Sequence, residues 1–129
     1  MSLTRALPVL GLSCLWGCQG DGGGLESDQI TDVFISNGHT QCADDALTPA
    51  QTAMVLIEDG VDVLDSSCGV LTGVAFAAVC GGATGEINIH RIRPENLRDA
   101  ERLGFRNVAD IGSALDLAAT GYVEVECGD

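Results

Sequence analysis

The chain has 129 residues and no lysine, and its formal net charge is −13 because nineteen acidic residues outnumber six arginines. This length leaves room for one folded domain. The negative charge argues against nucleic-acid binding, since the protein repels a phosphate backbone. All acidic residues lie after residue 18, and we expect them to keep a small protein soluble beside an anionic membrane surface.

The first eighteen residues have the features of an export signal. Arg5 supplies a positive charge, and the apolar run at 6–16 that follows it is too short to cross a bilayer as a helix. Residues 15–18 (LWGC) resemble the lipobox that the lipoprotein signal peptidase recognises, with an aliphatic residue, a small residue and then Cys18. Trp16 is the one departure, because this position is usually small. The rest of the chain resembles no characterised family.

The resemblance implies a bacterial lipoprotein. Residues 1–17 are then a signal peptide, and Cys18 carries acyl chains such as palmitate that anchor the protein to a membrane of the cell envelope. Gln19, in place of an aspartate, favours the outer membrane. Loss of Cys14 and acylation of Cys18 leave four cysteines. The alternative, secretion without a lipid, leaves an odd thiol in an oxidising compartment.

A glycine-rich polar stretch follows Cys18 and predicts a flexible tether over residues 18–41. Within it, residues 30–35 (ITDVFI) are compatible with an edge strand packed on the domain or with further linker. The folded domain is predicted over residues 42–129.

The clearest predicted element is a helix at about 49–59. Thr48 is suited to cap it, Pro49 to occupy its first position and Gln51 to complete a capping box. Gly60 is placed to end the helix in a left-handed conformation, with Val61 packing back on the last turn. The predicted apolar face consists of Ala50, Ala53, Met54 and Ile57.

The remaining pattern predicts an α+β domain with a mostly antiparallel sheet and two or three helices on one face. A ferredoxin-like sandwich is one arrangement that fits. The predicted elements are strands at 61–64, 73–79 and 86–92, a helix from Pro94 to about Gly104, an ambiguous helix at 107–119 and an edge or half-exposed strand at 121–127.

Four cysteines remain for the folded domain: Cys42, Cys68, Cys80 and Cys127. We expect two disulfides, Cys68–Cys80 across neighbouring strands and Cys42–Cys127 joining the two ends of the domain. Each is typically worth about 2–4 kcal/mol, which a small domain with few aromatic side chains needs.

The sequence contains no pattern that names a reaction, a metal or a cofactor. One alternative function is a small redox or cysteine-dependent enzyme centred on Cys68 and Cys80. Their spacing is not the C-x-x-C of redox pairs. A cysteine nucleophile also needs a nearby base. His39 falls in the predicted linker, and His90 is interpreted as a surface histidine on a strand.

All arginines after residue 18 fall between residues 91 and 106. Arg91 and Arg93 are predicted to share a strand face, and Arg98 and Arg102 a helix face. Together they form a candidate patch for an acidic partner or a carboxylate ligand, unless neighbouring acidic residues neutralise them.

The leading interpretation is a lipid-anchored envelope protein with a structural or protein-interaction role, with the membrane and an envelope protein as partners. A small-ligand binding module is a further alternative.

Overall fold

The computed structural model describes residues 29–113 and 119–128. The predicted signal peptide, Cys18 and the first part of the predicted tether, up to residue 28, lie outside this part of the chain. The elements are β1 (Thr31–Ser36), α1 (Pro49–Glu58), β2 (Asp65–Thr72), β3 (Glu86–Ile92), α2 (Leu97–Arg102), β4 (Arg106–Asn107) and β5 (Gly121–Val125). Short 3-10 turns cover Pro94–Asn96 and Val108–Asp110.

The described strands form one sheet in the order β4-β1-β3-β2-β5, and every neighbouring pair is antiparallel. Helix α1 connects β1 to β2 across β3, and α2 connects β3 to β4 across β1. Strand β5 extends the sheet beyond β2, where it forms one edge. The predicted α+β domain with an antiparallel sheet and two helices is therefore confirmed.

Strand β1 lies inside the sheet rather than at its edge. It pairs with β3 along its whole length and with β4 near its middle. Val33 and Phe34 are buried, one on each face. The folded domain consequently begins by Thr31 and not at Cys42, and the segment predicted as tether or edge strand contributes to the core.

The ends of α1 agree with the prediction. The Thr48 hydroxyl accepts a hydrogen bond from the backbone of Gln51 at 3.1 Å, and the Gln51 side chain accepts one from the backbone of Thr48 at 2.8 Å. At the other end, Gly60 has a φ of +88°. The backbone N–H of Val61 donates to the Leu56 carbonyl at 3.0 Å, which closes the last turn.

Of the predicted apolar face of α1, only Ala53 is buried, and the prediction is wrong for Ala50, Met54 and Ile57. The helix buries Thr52, Ala53 and Leu56, whereas Met54 and Ile57 are 46% and 48% exposed. Thr52 is buried because its hydroxyl contacts polar side chains of β3, so the side of the helix that faces the sheet includes a polar residue. The larger apolar side chains of Met54 and Ile57 therefore lie on the exposed side of the helix.

Strands were also predicted at 61–64 and 73–79, and neither forms. The strand is Asp65–Thr72 instead. It places Ser66 opposite His90 and Cys68 opposite Asn88, so a polar stretch pairs with the polar residues of β3. The more apolar segment at 73–79 is part of the irregular connection between β2 and β3, and most of it is exposed.

The core has two parts, one on each face of the sheet. Under the helices, the buried cluster is Val33, Leu56, Val61, Ile92, Ala100 and Phe105. On the opposite face Phe34, Ile87 and Ile89 are buried, and Val108 and Ile111 pack on them from the segment after β4. Asn107 caps a 3-10 turn, and its side chain accepts from the backbone of Ala109. Of the helix predicted at 107–119, residues 108–110 form this 3-10 turn, and residues 114–118 lie outside the described residues.

Candidate partner-binding surface

The four cysteines of the domain form two disulfides, but the predicted pairing is wrong. The bonds are Cys42–Cys80 and Cys68–Cys127. In the β2–β3 register, the residue opposite Cys68 is Asn88, so Cys80 is not its neighbour. Strand β5 places Val125 opposite Cys68 on the other side, which brings Cys127 within reach.

The disulfide Cys42–Cys80 joins two irregular segments. The backbone N–H of Gly81 donates to the Gln41 carbonyl, and that of Gln41 donates to the Gly82 carbonyl, both at 2.9 Å. These bonds hold Cys42 and Cys80 side by side. Because Cys68 and Cys80 belong to different disulfides, they do not form the two-cysteine centre that the redox alternative requires. Within the described ranges, no group of three or more His, Cys, Asp or Glu side chains is arranged to hold a metal ion.

Among the residues that the structure describes, His90 is the most buried titratable group, with an exposed fraction of 0%, and it is not the surface residue that its strand position suggested. Nδ1 lies 2.7 Å from the Ser66 hydroxyl and Nε2 lies 2.7 Å from the Thr52 hydroxyl. The Asn88 amide donates to Thr52 at 3.2 Å and to the Leu47 carbonyl at 3.0 Å. Both ring nitrogens therefore have partners, which a buried imidazole requires.

The contact between Ser66 and His90 has the distance of a nucleophile and its base, but the surroundings do not favour that chemistry. The second ring nitrogen faces the Thr52 hydroxyl, whereas a base of this kind is normally oriented by a carboxylate. Burial lowers the pKa of His90 to about 4. A ring with so low a pKa is a weak base at neutral pH, so the cluster is better explained as a way to satisfy polar groups in the core.

The arginines of the candidate patch are divided between different parts of the fold. On the sheet face away from the helices, Arg91 donates to Asp32 at 3.0 Å. On α2, Arg102 contacts Asp59 at 3.2 Å and Asp99 at 3.0 Å. Two of the four arginines are thus neutralised by acidic neighbours.

Arg93 and Arg98 are exposed. Strand β3 ends at Ile92, so Arg93 no longer shares a strand face with Arg91. A role of the arginines in partner binding stays a prediction. A surface that is more continuous than these separated arginines lies at the edge of the sheet formed by β5.

Among the strands that the structure describes, only β5 has large apolar side chains that are exposed. Val123 is 52% and Val125 is 43% exposed. They lie opposite Val70 and Cys68, and Cys68 is in turn opposite Asn88, whose amide contacts α1. Because residues opposite each other share a face, both valines lie on the face that carries the helices.

A groove of about 580 Å³ lies on the same face, and Val125 is part of its wall. Its walls include Leu47 and Pro49 before and at the start of α1, Val70 of β2, and Val125 and Glu126. The helix covers the centre of the sheet and stops short of β5. The groove is the space that remains between them.

The opposite face of the same sheet edge is acidic. A hollow of about 60 Å³ is lined by Asp32, Asp65, Ser67, Ile89, Arg91 and Glu124. The adjacent Asp32 carboxylate, followed by Asp65 and Glu124, raises the pKa of Arg91. Three carboxylates thus surround one guanidinium. We use the name β5 surface for the outer edge of β5, its two valines and Glu124.

Comparison with models of known protein families, with curated proteins and with solved structures found no match. Among the residues that the structure describes, no helix is both long and apolar enough to cross a membrane. The alternation of residues 121–127 predicted the edge strand. The exposure of the two valines on this strand depends on the position of α1, and no local sequence pattern indicates that position.

Proposed function

We propose that this protein is a lipid-anchored protein of the cell envelope whose folded domain binds another envelope protein through the β5 surface. The observation that carries the proposal is the edge strand itself. It is five residues long, stands at the end of the sheet order, and presents Val123 and Val125 about half exposed. Exposed apolar side chains that adjoin a groove are typical of interaction sites.

The proposed address rests on the lipobox-like residues that end at Cys18, with the outer membrane favoured by Gln19. Two disulfides in the folded domain support an oxidising compartment outside the cytoplasm. We also propose a ferredoxin-like arrangement with one added strand. Its support is the order βαββαβ from β1 to β4, with β1 and β3 at the centre of those four strands.

The address is tested by the mass of the protein in the membrane fraction of a Gram-negative host. We expect a chain that starts at Cys18 and carries acyl groups, labelled by radioactive palmitate. Cys18→Ser should remove the label and release the protein from the membrane. An unlipidated chain in the soluble fraction contradicts the anchoring proposal.

Partner binding is tested in the same cells with a photo-reactive amino acid. We place it at Val123 on the β5 surface and, as the matched control, at Ala109, which is exposed beside the opposite edge of the sheet. A specific covalent adduct with one envelope protein from position 123 alone supports the proposal. Equal adducts from both positions, or none from position 123, contradict it.

A further inference from the structure

We propose that the β5 surface binds its partner by strand addition. In this mode an extended segment with alternating basic and apolar side chains pairs with the outer edge of β5 and becomes the sixth strand of the sheet. The inference rests on the proposed function and specifies the chemistry of the partner.

The first argument is the unequal length of the two sheet edges. Strand β4 forms one edge with two residues, which is too short to template another strand, whereas β5 has five. No strand in the described parts of the chain pairs with the outer side of β5. A long edge exposes backbone donors and acceptors, and proteins usually cover or shorten it unless another chain is to pair there. An extended peptide satisfies these groups directly.

The second argument comes from the side chains along β5, which alternate between the two faces. Val123 and Val125 lie on the helix face, where Val125 lines the groove, whereas Glu124 lies on the face with the acidic hollow. Residues directly opposite on an added strand share these faces. The partner therefore needs apolar side chains opposite the valines and a basic side chain opposite Glu124.

The third argument is electrostatic. Arg91 is hydrogen-bonded to Asp32, and no cation within the described residues forms an ion pair with Asp65 or Glu124. These two carboxylates favour a lysine or arginine of the partner. They disfavour a second copy of this chain, which brings its own Glu124 to the interface and has the same charge of −13.

The direct test uses the full chain, purified in a mild detergent, and a fluorescent peptide of alternating valine and lysine with blocked ends. Fluorescence anisotropy measures binding, and hydrogen exchange measures protection of the amides of β5. We expect saturable binding that weakens with added salt and slower exchange across Gly121–Val125. A peptide that is N-methylated on the edge facing β5 cannot complete the ladder, and its affinity should fall about tenfold or more.

Three controls separate strand addition from simple charge attraction. A peptide of the same composition, ordered in pairs of valines and pairs of lysines, should bind about tenfold more weakly because its side chains no longer match the two faces. Glu124→Lys should weaken binding of the alternating peptide by a similar factor. Glu95→Lys, which makes the same charge change at an exposed site on the helical segment after β3, should weaken it much less.

Equal binding of the alternating and paired peptides, equal effects of the two variants, or no effect of N-methylation overturns strand addition. A dimer of the chain that forms through β5 also overturns it. The cellular cross-link separates this inference from the proposed function. An adduct at position 123 without peptide binding leaves the proposed function standing and removes strand addition, whereas loss of both removes both.

Discussion

Acid should destabilise this domain through His90, because its ring is buried and neutral in the folded state. Its pKa falls from 6.5 to about 4 on folding. In the unfolded chain the ring takes up a proton near pH 6.5, so the unfolded state is favoured as the pH falls. The stabilisation is complete above pH 6.5 and is lost between about pH 6.5 and 4.

The magnitude follows from this shift in pKa. Each unit of pKa corresponds to about 1.4 kcal/mol, so the whole effect is about 3 kcal/mol, of which about 2 kcal/mol falls between pH 7 and pH 5. This is a large share of the 5–15 kcal/mol that typically stabilises a domain. The ring has no carboxylate partner to compensate, since its contacts are the hydroxyls of Thr52 and Ser66.

The assay is urea unfolding followed by circular dichroism, with both disulfides intact, at several pH values between 7 and 5. Many carboxylates also titrate at acidic pH, so the wild-type chain is compared with His90→Gln, which removes only this ring. The wild type should lose about 2 kcal/mol more than the variant over this range. Parallel losses in the two proteins, or an NMR titration of His90 near pH 6.5, refute the reasoning.

Three further predictions concern a disulfide, a closely packed glycine and a hydrogen-bonded histidine. Replacing both Cys68 and Cys127 by serine should lower the free energy of unfolding by about 4 kcal/mol, measured by urea unfolding, because the bond closes a long loop in the unfolded chain. Gly69→Ala should cost about 1–3 kcal/mol in the same assay, since its new methyl group would lie 3.0–3.2 Å from atoms of β5 and β3. By NMR, His39 should titrate above its ordinary pKa because of its hydrogen bond to Glu86, and Glu86→Gln should bring that pKa down. This half-buried pair contributes stability below pH 6.5 that is lost as the pH rises through the raised pKa.

The sequence predicts the elements whose determinants are local. The start of α1 is encoded by Thr48, Pro49 and Gln51 within four positions, and its end by Gly60, so the predicted boundaries agree with the structure. The strand Glu86–Ile92 and the edge strand near the end of the chain were predicted for the same reason. The α+β class follows from the order of such elements.

The features that depend on distant residues were not predictable. Thr52 is buried in place of Met54 because it bonds His90, 38 residues away. The disulfide pairing depends on which strand lies beside β2, and the sequence separation of Cys68 and Cys127 is 59. The acidic hollow likewise brings together residues of four strands, from Asp32 to Glu124. Only the alternation along β5 gave a local signal for the candidate surface.

The disulfide between Cys68 and Cys127 also determines how the domain responds to a pulling force. Under the proposed function, a partner bound to β5 would transmit tension across the sheet toward β1, the first strand of the domain. The covalent bond at one end of the β2–β5 pair prevents β5 from peeling away from that end. Rupture must therefore begin at Gly121, at the opposite end of the pair, or in the ladders that flank β3. A domain built in this way can carry a mechanical load through its edge strand without losing that strand.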